Sequence, residues 1–176
     1  MAKLKLMRVM GKSASMHTQL KGQLNFINCF FDVLAVSSGE YYLNKIKCRE
    51  NVRTYNINIA RAINICSDLK AFLSLILLIK KEKPDIVHAS SPKASFLSML
   101  ASYICRVPIR IYTVTGLRFE TTNGWLRKLL ILIEKINCFC ATKVIPEGEG
   151  VKTTIVENKI TDKPLNAILN GNINGI

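Results

Sequence analysis

Residues 83–95 read KPDIVHASSPKAS and carry the signals for one complete passage from helix to strand to helix. Lysines at and before its start favour the negative end of a preceding helix, and Pro84 ends that helix because proline has no amide hydrogen to donate. The apolar run 85–89 predicts a short buried strand, and Pro92 predicts the first turn of a new helix. A loop of two serines lies between the strand and the helix.

The same alternation of short apolar runs and longer amphipathic stretches extends outward in both directions. The predicted strands are 4–9, 31–37, 52–57, 85–89, 109–114, 143–145 and 165–169. The predicted helices are 19–29, 40–47, 67–81, 92–106, 123–139 and 148–158, with 11–18 as a polar loop and Ser67 as an N-cap. This order predicts an α/β fold, a doubly wound, mostly parallel sheet of about seven strands with helices on both faces. The weak alternation of the third strand favours an edge position.

In such a sheet, ligands bind where the parallel strands end. The loops in question follow Val9, Ser37, Ala89, Val114 and Leu169. Free N–H groups at the helix start near Ser90, Ser91 and Lys93 would hold an anion there. The alternative is that the two serines only cap the helix. His88 lies inside the strand, so a structural role is expected for it.

Composition separates several function classes. The 25 Lys and Arg residues against 12 Asp and Glu residues give a net charge of +13, which indicates an anionic partner: nucleic acid, a phospholipid surface or a phosphorylated substrate. The sequence has no helix-turn-helix, zinc-finger or aromatic RNA-binding signature, and no G-x-G-x-x-G follows the first strand. Nucleic acid and a dinucleotide cofactor are therefore both disfavoured.

The cysteines and the hydrophobic segments bear on the cellular compartment. The six cysteines include no C-x-x-C pair, so we expect reduced core cysteines in a cytosolic protein and no metal site. The most hydrophobic segment, 71–79, is shorter than the roughly 18 apolar residues that span a bilayer. The opening MAKLKLMRVM predicts a buried strand rather than a signal peptide. We expect a cytoplasmic protein, peripheral on the inner face of the cytoplasmic membrane if it meets a membrane at all.

Several segments resemble the acceptor domain of family-four glycosyltransferases, GT-B enzymes of bacterial capsular polysaccharide and exopolysaccharide synthesis. KPDIVHASSPKAS at 83–95 is similar to their KPDIVHxHxPKAG pattern, and VPIRIYTVTGLRFET at 107–121 to VPxRIYTVxGLRFET. Residues 127–145 match RKLLxxxEK followed by ATKVI, and the final LNGNINGI is similar to xGNGxxNGI. LKGQL at 20–24 matches a segment after the family's first strand. The order and spacing agree over almost the whole chain.

Three positions depart from the family pattern. Ser90 stands where the second histidine of H-x-H is expected, Thr115 where many relatives have a histidine before the loop glycine, and Gly148 where a serine follows the sixth strand. His88 alone remains of these histidines, so the catalytic residues are unassigned. Glu134 matches the family but lies among leucines and isoleucines, which favours a structural role.

The resemblance implies a Rossmann-like acceptor domain over residues 1–169, an interdomain linker beginning at 170–176, and a C-terminal donor domain that is absent. The implied acceptor-binding residues are Lys21, Gly22, Ser90, Ser91, Lys93, Thr115, Gly116, Arg118 and Glu120. Arg118 would pair with an acceptor phosphate and Glu120 would orient a sugar hydroxyl, unless both are solvated or paired with neighbours. The implied interdomain cleft residues are Asn170, Gly171 and Asn172.

The resemblance also implies hexosyl transfer from a sugar nucleotide held by the missing domain, so this chain is expected to bind no cofactor or metal and to be inactive alone. The expected partners are a lipid-linked or saccharide acceptor, such as an undecaprenyl-diphosphate sugar, and the missing donor domain or a separate donor subunit. An anionic membrane surface would meet a basic, partly apolar face, unless that face is solvated or covered by the missing domain: Lys3, Lys5, Lys12, Lys21, Arg118, Trp125, Arg127 and Lys128. The alternative function is a non-catalytic membrane-docking subunit that recruits a separately encoded donor domain.

Overall fold

One parallel sheet organises the molecule in the computed structural model, which describes residues 3–60 and 64–167. Its strands are β1 (Lys5–Lys12), β2 (Asp32–Ser38), β3 (Arg53–Asn56), β4 (Ile86–Ser90), β5 (Ile109–Val114) and β6 (Lys143–Pro146). Their spatial order is β3-β2-β1-β4-β5-β6, and every neighbouring pair is parallel. The predicted α/β class, the parallel sheet and the edge position of the third strand are confirmed.

Helices connect the strands and cover both faces of the sheet. They are α1 (Ser13–Gln19), α2 (Gln23–Asn28), α3 (Glu40–Glu50), α4 (Ile65–Glu82), α5 (Pro92–Ile104), α6 (Gly124–Cys140) and α7 (Glu149–Glu157), with a 3₁₀ turn at Arg118–Thr121. Because side chains alternate along a strand, β1 sends Met7 and Val9 into one core with α4, α5 and α6. It sends Leu6 and Met10 into a second core with α1, α2 and α3.

The strand order reverses direction between β1 and β4, which is the topological switch point of the sheet. From β1 the chain proceeds outward through β2 to β3, and then returns to β4 and proceeds through β5 to β6 on the other side. The two connections that leave β1 and β4 therefore proceed to opposite sides, and this topology predicts a crevice at the carboxyl ends of these strands. Crevices of this kind are where open α/β sheets bind ligands.

The first connection differs from the prediction. Residues 11–18 were expected to form a polar loop, but β1 continues to Lys12 and α1 follows at once. Met16 and Leu20 are four residues apart, and both are fully buried against the sheet. This helical spacing is hard to recognise in the sequence because the residues around it are polar. The single helix expected at 19–29 is also interrupted, because Gly22 adopts a left-handed conformation with φ of 76° before α2.

Two further boundaries are corrected. The N-cap of α4 is Asn64 rather than Ser67: the Asn64 side chain accepts a hydrogen bond from the Ser67 amide at 3.0 Å. Residues 165–167, the described part of the predicted seventh strand, are not in a strand, and the rest of that prediction lies outside the described residues. The described sheet therefore has six strands.

The next findings concern the cysteines, the potential metal ligands and the lengths of the helices. All six cysteines are free, but Cys29, Cys48 and Cys66 are exposed, so the prediction of core positions is wrong for these three. The residues of 3–60 and 64–167 contain no cluster of three potential metal ligands. No helix within those ranges has the length and apolar character needed to cross a bilayer.

Candidate functional site

At the switch point, a hydrogen bond joins the last residues of β1 to the residue that follows β4. The Gly11 amide donates to the Ser91 side-chain oxygen at 3.1 Å. A Cβ on Gly11 would lie 3.2 Å from that oxygen, so a glycine permits this close approach. Ser91 has a φ of 78°, which is unfavourable for a residue with a side chain, and it directly precedes α5. Its hydroxyl therefore joins the start of α5 to the end of β1.

Below this junction, one cation lies inside the sheet. Arg8 occupies the middle of β1 and is only 1% exposed. Its Nη1 donates to the His88 carbonyl at 3.1 Å, and its Nη2 donates to the Ser90 hydroxyl at 3.0 Å. The guanidinium therefore spans from β1 to β4 and fixes the side chain of Ser90.

The protonation states follow from burial. Desolvation lowers the pKa of Arg8 to about 10, so its guanidinium remains charged at neutral pH. Burial, and then the neighbouring Arg8 cation, hold the pKa of His88 well below its ordinary value. A neutral His88 lies with Nε2 at 2.8 Å from the Thr113 hydroxyl on β5. This bond inside the sheet is consistent with the structural role expected for His88.

The loop after β5 forms the neighbouring part of the crevice rim. Thr115 and Gly116 are half-buried, and Gly116 has a φ of 93° with open space where a Cβ would stand. Beyond them, buried Phe119 anchors the 3₁₀ turn, which leaves Arg118 exposed. Glu120 accepts a hydrogen bond from the Thr154 hydroxyl of α7 at 2.9 Å. Glu120 is thus exposed and bonded to α7 at the same time.

Lys93 lies in the first turn of α5, but its charge is already balanced. Its Nζ lies 2.6 Å from a carboxylate oxygen of Asp68 on α4. The ion pair joins the two helices and offsets the cation that was expected to receive an anion at this helix start. An anion in the crevice would meet the Ser90 and Ser91 loop before it met Lys93.

Lys21 and Gly22 lie elsewhere. The amides of Gly22 and Asn25, at the start of α2, donate to the two carboxylate oxygens of Glu50 at 3.0 and 3.1 Å. Glu50 ends α3, and α3 runs away from the carboxyl edge because it begins where β2 ends. The structure therefore places Lys21 and Gly22 toward the opposite end of the sheet from Ser90. Asn170, Gly171 and Asn172 lie outside the described residues.

The structure thus places Ser90 at the end of β4 and Ser91 directly after it. Thr115 and Gly116 follow the neighbouring strand β5, and Arg118 and Glu120 lie further along the same connection. Sequence reasoning missed Arg8. Its signal was present, since Arg8 is the only charged residue in the apolar run 6–10 of the first strand. In a parallel sheet covered on both faces such a run is ordinarily apolar throughout.

A second surface feature lies on the helices. The outer face of α4 exposes four apolar side chains spaced four residues apart: Ile65, Leu69, Leu73 and Leu77. The exposed apolar side chains of α6 are Trp125, Leu129, Leu132 and Phe139. The basic face expected from the sequence does not gather in one place. The Nζ atoms of Lys3 and Lys5 bond the carbonyls of Asn28 and Glu82 near the start of β1, whereas Lys12 lies at the opposite end of that strand.

A model of the glycosyl transferase 4-like family matches residues 9–147, a range that contains both loops of the crevice. The chain belongs to the glycosyl transferase 4-like family. It is 42% identical over 149 residues to the capsular polysaccharide biosynthesis glycosyltransferase CapM of Staphylococcus aureus, covering 81% of this chain and 38% of CapM. The predicted family is confirmed.

A second sequence relative and a solved structure are also similar to this glycosyl transferase 4-like chain. It is 33% identical over 125 residues to UDP-Gal:alpha-D-GlcNAc-diphosphoundecaprenol alpha-1,3-galactosyltransferase of Escherichia coli, covering 69% of this chain and 32% of that enzyme. A glycosyltransferase structure from Rickettsia africae shares the fold with a TM-score of 0.71 at 19% identity, over 94% of this chain and 42% of that one. The fold corresponds to one Rossmann-like half of a GT-B-like structure, and the chain spans 38% and 32% of the length of these curated relatives.

Proposed function

We propose that this chain is the acceptor-binding half of a sugar-nucleotide-dependent glycosyltransferase of surface polysaccharide synthesis. The observation that carries the proposal is the set of polar groups at the carboxyl ends of β1, β4 and β5, at the switch point of the sheet. Its hydroxyls and amides are the groups that recognise a saccharide, and the crevice lies within the family match at residues 9–147. The E. coli relative is named for a diphosphoundecaprenol-linked sugar, which supports a lipid-linked acceptor here.

Glycosyl transfer also requires groups that bind the sugar nucleotide and stabilise its departing diphosphate. Glycosyl transfer from a nucleotide sugar depends on electrostatic stabilisation of the departing diphosphate. We propose that a second domain, for which the remaining length of the relatives has room, binds the sugar nucleotide and supplies most of that stabilisation. Residues 1–169 then form the acceptor domain, and 170–176, with Asn170, Gly171 and Asn172, begin the linker into the interdomain cleft. On this proposal the 176-residue chain transfers no sugar by itself.

A chimaera with CapM tests the proposal, because 42% identity makes an exchange of the matching region feasible. The matching 149 residues of CapM are replaced by those of this chain, and transfer from radiolabelled sugar nucleotides to membrane lipid extracts is measured. We expect transfer by the chimaera and none by the isolated chain. Two variants locate the site: Ser91→Ala, half-buried after β4, is expected to raise the KM for the acceptor, and Thr153→Ala, exposed on α7, is not. A folded chimaera that binds the sugar nucleotide but transfers nothing contradicts the proposal.

We also propose that the domain docks on the anionic inner face of the cytoplasmic membrane. The exposed stripe on α4, in which Ile65 is 81% and Leu77 is 68% exposed, supplies apolar contact. The net charge of +13 supplies attraction to anionic lipid. Flotation with vesicles of phosphatidylglycerol, compared with vesicles of phosphatidylcholine, tests this. Equal recovery with both lipids, or none with either, contradicts it.

The α4 stripe also favours the alternative function, a membrane-docking subunit that recruits a separately encoded donor domain. Large exposed apolar surfaces on soluble domains mark interaction sites. Under this alternative, affinity capture from cells of the source organism recovers a nucleotide-sugar-binding protein, and the addition of that protein restores transfer without a chimaera. Activity of the CapM chimaera without any added protein favours the first function.

A further inference from the structure

A cavity of about 510 Å³ lies at the amino ends of β4 and β5, and we call it the amino-edge cavity. The two strands are neighbours, and each is entered from a helix: α4 leads into β4 through residues 83–85, and α5 leads into β5 through residues 105–108. The ends of both helices and these two connections line the cavity. It is therefore at the opposite end of the strands from Ser91 and Thr115, and separate from the acceptor loops proposed above.

The lining of the amino-edge cavity carries an excess of positive charge. Lys80, Lys83 and Arg106 line it and are exposed. Within residues 3–60 and 64–167, none of these three side chains takes part in an ion pair or a hydrogen bond. Among the described residues of the lining, Asp85 is the only acidic one, and one of its carboxylate oxygens accepts from the Lys5 amide at 2.8 Å. Three cations and one carboxylate leave an excess of two positive charges.

Two of these cations occupy backbone positions that glycine usually fills. Lys83 and Arg106 each follow a helix and have a positive φ, of 50° and 56°. Glycine ends helices in this conformation most readily because it has no Cβ. Here the backbone alone closes both helix ends: the Lys83 amide donates to the Ile79 carbonyl at 2.8 Å, and the Arg106 amide donates to the Tyr103 carbonyl at 3.0 Å. The two cationic side chains therefore remain available to a ligand.

Most of the remaining lining is apolar. Ile79, Pro84 and Val107 are buried and form the inner part of the cavity. Ile104, which is 55% exposed, and Pro108 form its outer part. A small inorganic anion would leave this apolar surface in water, whereas a ligand with an apolar body would cover it and gain affinity from the burial. The volume lies in the range of cavities that hold small organic molecules, about 300–1,000 Å³.

We propose that the amino-edge cavity binds a soluble amphiphilic anion, a molecule with an apolar body and a phosphate monoester head. The apolar body lies against Ile79, Val107 and Ile104, and the head contacts Lys83 and Arg106. A phosphate monoester is the head that the charge favours, because it carries a charge of about −1.5 to −2 at neutral pH and so matches the excess of two positive charges. A carboxylate head would leave half of that excess in place.

Cys105 reports directly on occupancy, because its half-buried thiol lines the cavity. N-ethylmaleimide, an uncharged reagent, alkylates this thiol, and a bound ligand blocks its access. Cys138 and Cys140 are buried and are kept. Burial raises the pKa of Cys105 and the Lys80 cation opposes this, so Lys80 is left unchanged to preserve the reporter. The three exposed cysteines are replaced by serine to give the parent chain: Cys29, Cys48 and Cys66.

The test measures the rate of Cys105 alkylation in the 176-residue parent chain as octyl phosphate is added below its micelle concentration at constant ionic strength. We expect saturable protection. Lys83→Gln and Arg106→Gln are each expected to raise the dissociation constant by about fivefold or more. Lys128→Gln, which removes an exposed lysine near the start of α6, is the control and is expected to change nothing. No saturable protection, or the same constant in the parent chain and in both cavity variants, overturns the proposal.

Three other ligands test the head, the body and the source separately. Octyl glucoside has the same alkyl chain without a charge, and inorganic phosphate has the head without the chain. Each is expected to bind at least about tenfold more weakly than octyl phosphate. Equal protection by octyl glucoside overturns the anion site, and equal protection by inorganic phosphate overturns the amphiphilic ligand. Protection by vesicles of phosphatidylglycerol with none by octyl phosphate places the ligand in a membrane and overturns a soluble one.

Urea unfolding distinguishes ligand binding from a purely structural role, in which Lys83 and Arg106 only favour the negative ends of the two helices. In that case both glutamine variants lower the urea midpoint and are protected by octyl phosphate as well as the parent chain is, which overturns the proposal. Ligand binding instead predicts that octyl phosphate raises the midpoint of the parent chain more than that of either variant. If one variant does not fold, the other decides.

Discussion

Replacement of Glu134 by Gln tests whether a buried carboxyl of this core holds its proton in the native state. Glu134 lies on α6 and is 4% exposed. The Tyr112 hydroxyl donates to its Oε2 at 2.6 Å, and Asn137 Nδ2 donates to the same oxygen at 3.3 Å. Asn137 Oδ1 is buried without a hydrogen-bond partner in the described parts of the chain. A glutamine at 134 keeps an oxygen that can accept from Tyr112 and carries no charge at any pH.

The direction of the pH dependence follows from the pKa. Burial raises the pKa of Glu134 above its ordinary value, and the hydrogen bonds from Tyr112 and Asn137 oppose this only in part. The folded protein therefore holds this proton more tightly than the unfolded chain does. The resulting stabilisation is complete below the unfolded pKa and is lost as pH rises through the folded pKa. One proton limits the slope to about 1.4 kcal/mol per pH unit. Glutamine does not titrate, so Glu134→Gln is expected to remove this loss and to be at least as stable as the wild type at neutral pH.

Urea unfolding from about pH 4 to about pH 8 measures the difference, because the free energy of unfolding of each variant is obtained at each pH. Glu149→Gln, whose carboxylate is exposed on α7, is the control and is expected to follow the wild type. Tyr112→Phe leaves Glu134 Oε2 with one donor and is expected to lower the free energy of unfolding by about 1–3 kcal/mol. Parallel pH curves for wild type and Glu134→Gln, or a less stable Glu134→Gln at neutral pH, refute this reasoning.

Three further substitutions test other parts of the structure. Lys163→Met is expected to lower the free energy of unfolding, measured in urea, by about 1 kcal/mol. The reason is that Lys163 Nζ donates to three carbonyls at the end of α6. An unchanged urea midpoint argues against this cap. Gly39→Ala is expected to lower the thermal midpoint, with a loss of about 1–3 kcal/mol, since Gly39 has a φ of 106° and its Cβ would lie 2.6 Å from Ser13 Oγ. A midpoint equal to wild type contradicts that clash. Leu73→Lys on the α4 stripe is expected to reduce flotation with phosphatidylglycerol vesicles at unchanged stability, and full flotation contradicts docking through α4.

The order of strands and helices was predictable because its signals are local. Pro84 and Pro92 bracket β4 and mark the change from helix to strand to helix without any knowledge of the tertiary structure. The turn of helix at α1 was missed for the opposite reason. Its apolar residues Met16 and Leu20 are anchored by contacts with a distant part of the chain, and the local composition is that of a loop. Its existence is decided by tertiary packing rather than by propensity.

The sequence predicts which loops form the candidate site, but it does not predict which side chains contact each other there. The rule that ligands bind at the carboxyl ends of parallel strands selects the loops containing Ser90 and Thr115 from strand positions alone. No sequence pattern shows that Lys93 is paired with Asp68, or that the Gly22 amide is bonded to Glu50. These partners are 25 and 28 residues apart in sequence and meet only when the helices pack. Which charged side chains are paired could therefore be learned only from the three-dimensional structure.

Two buried ionisable residues, Arg8 on β1 and Glu134 on α6, differ in whether a change of protonation can remove their charge. Glu134 can shed its charge by binding a proton, which its raised pKa favours, and it then satisfies Tyr112 and Asn137 as a neutral group. Arg8 has no such route, because even a pKa lowered to about 10 keeps the guanidinium charged at neutral pH. The described residues place no carboxylate in an ion pair with it, and the His88 carbonyl and the Ser90 hydroxyl accept its hydrogen bonds instead. Arg8 therefore serves first as a bond between β1 and β4, and its charge is held by neutral acceptors of the neighbouring strand.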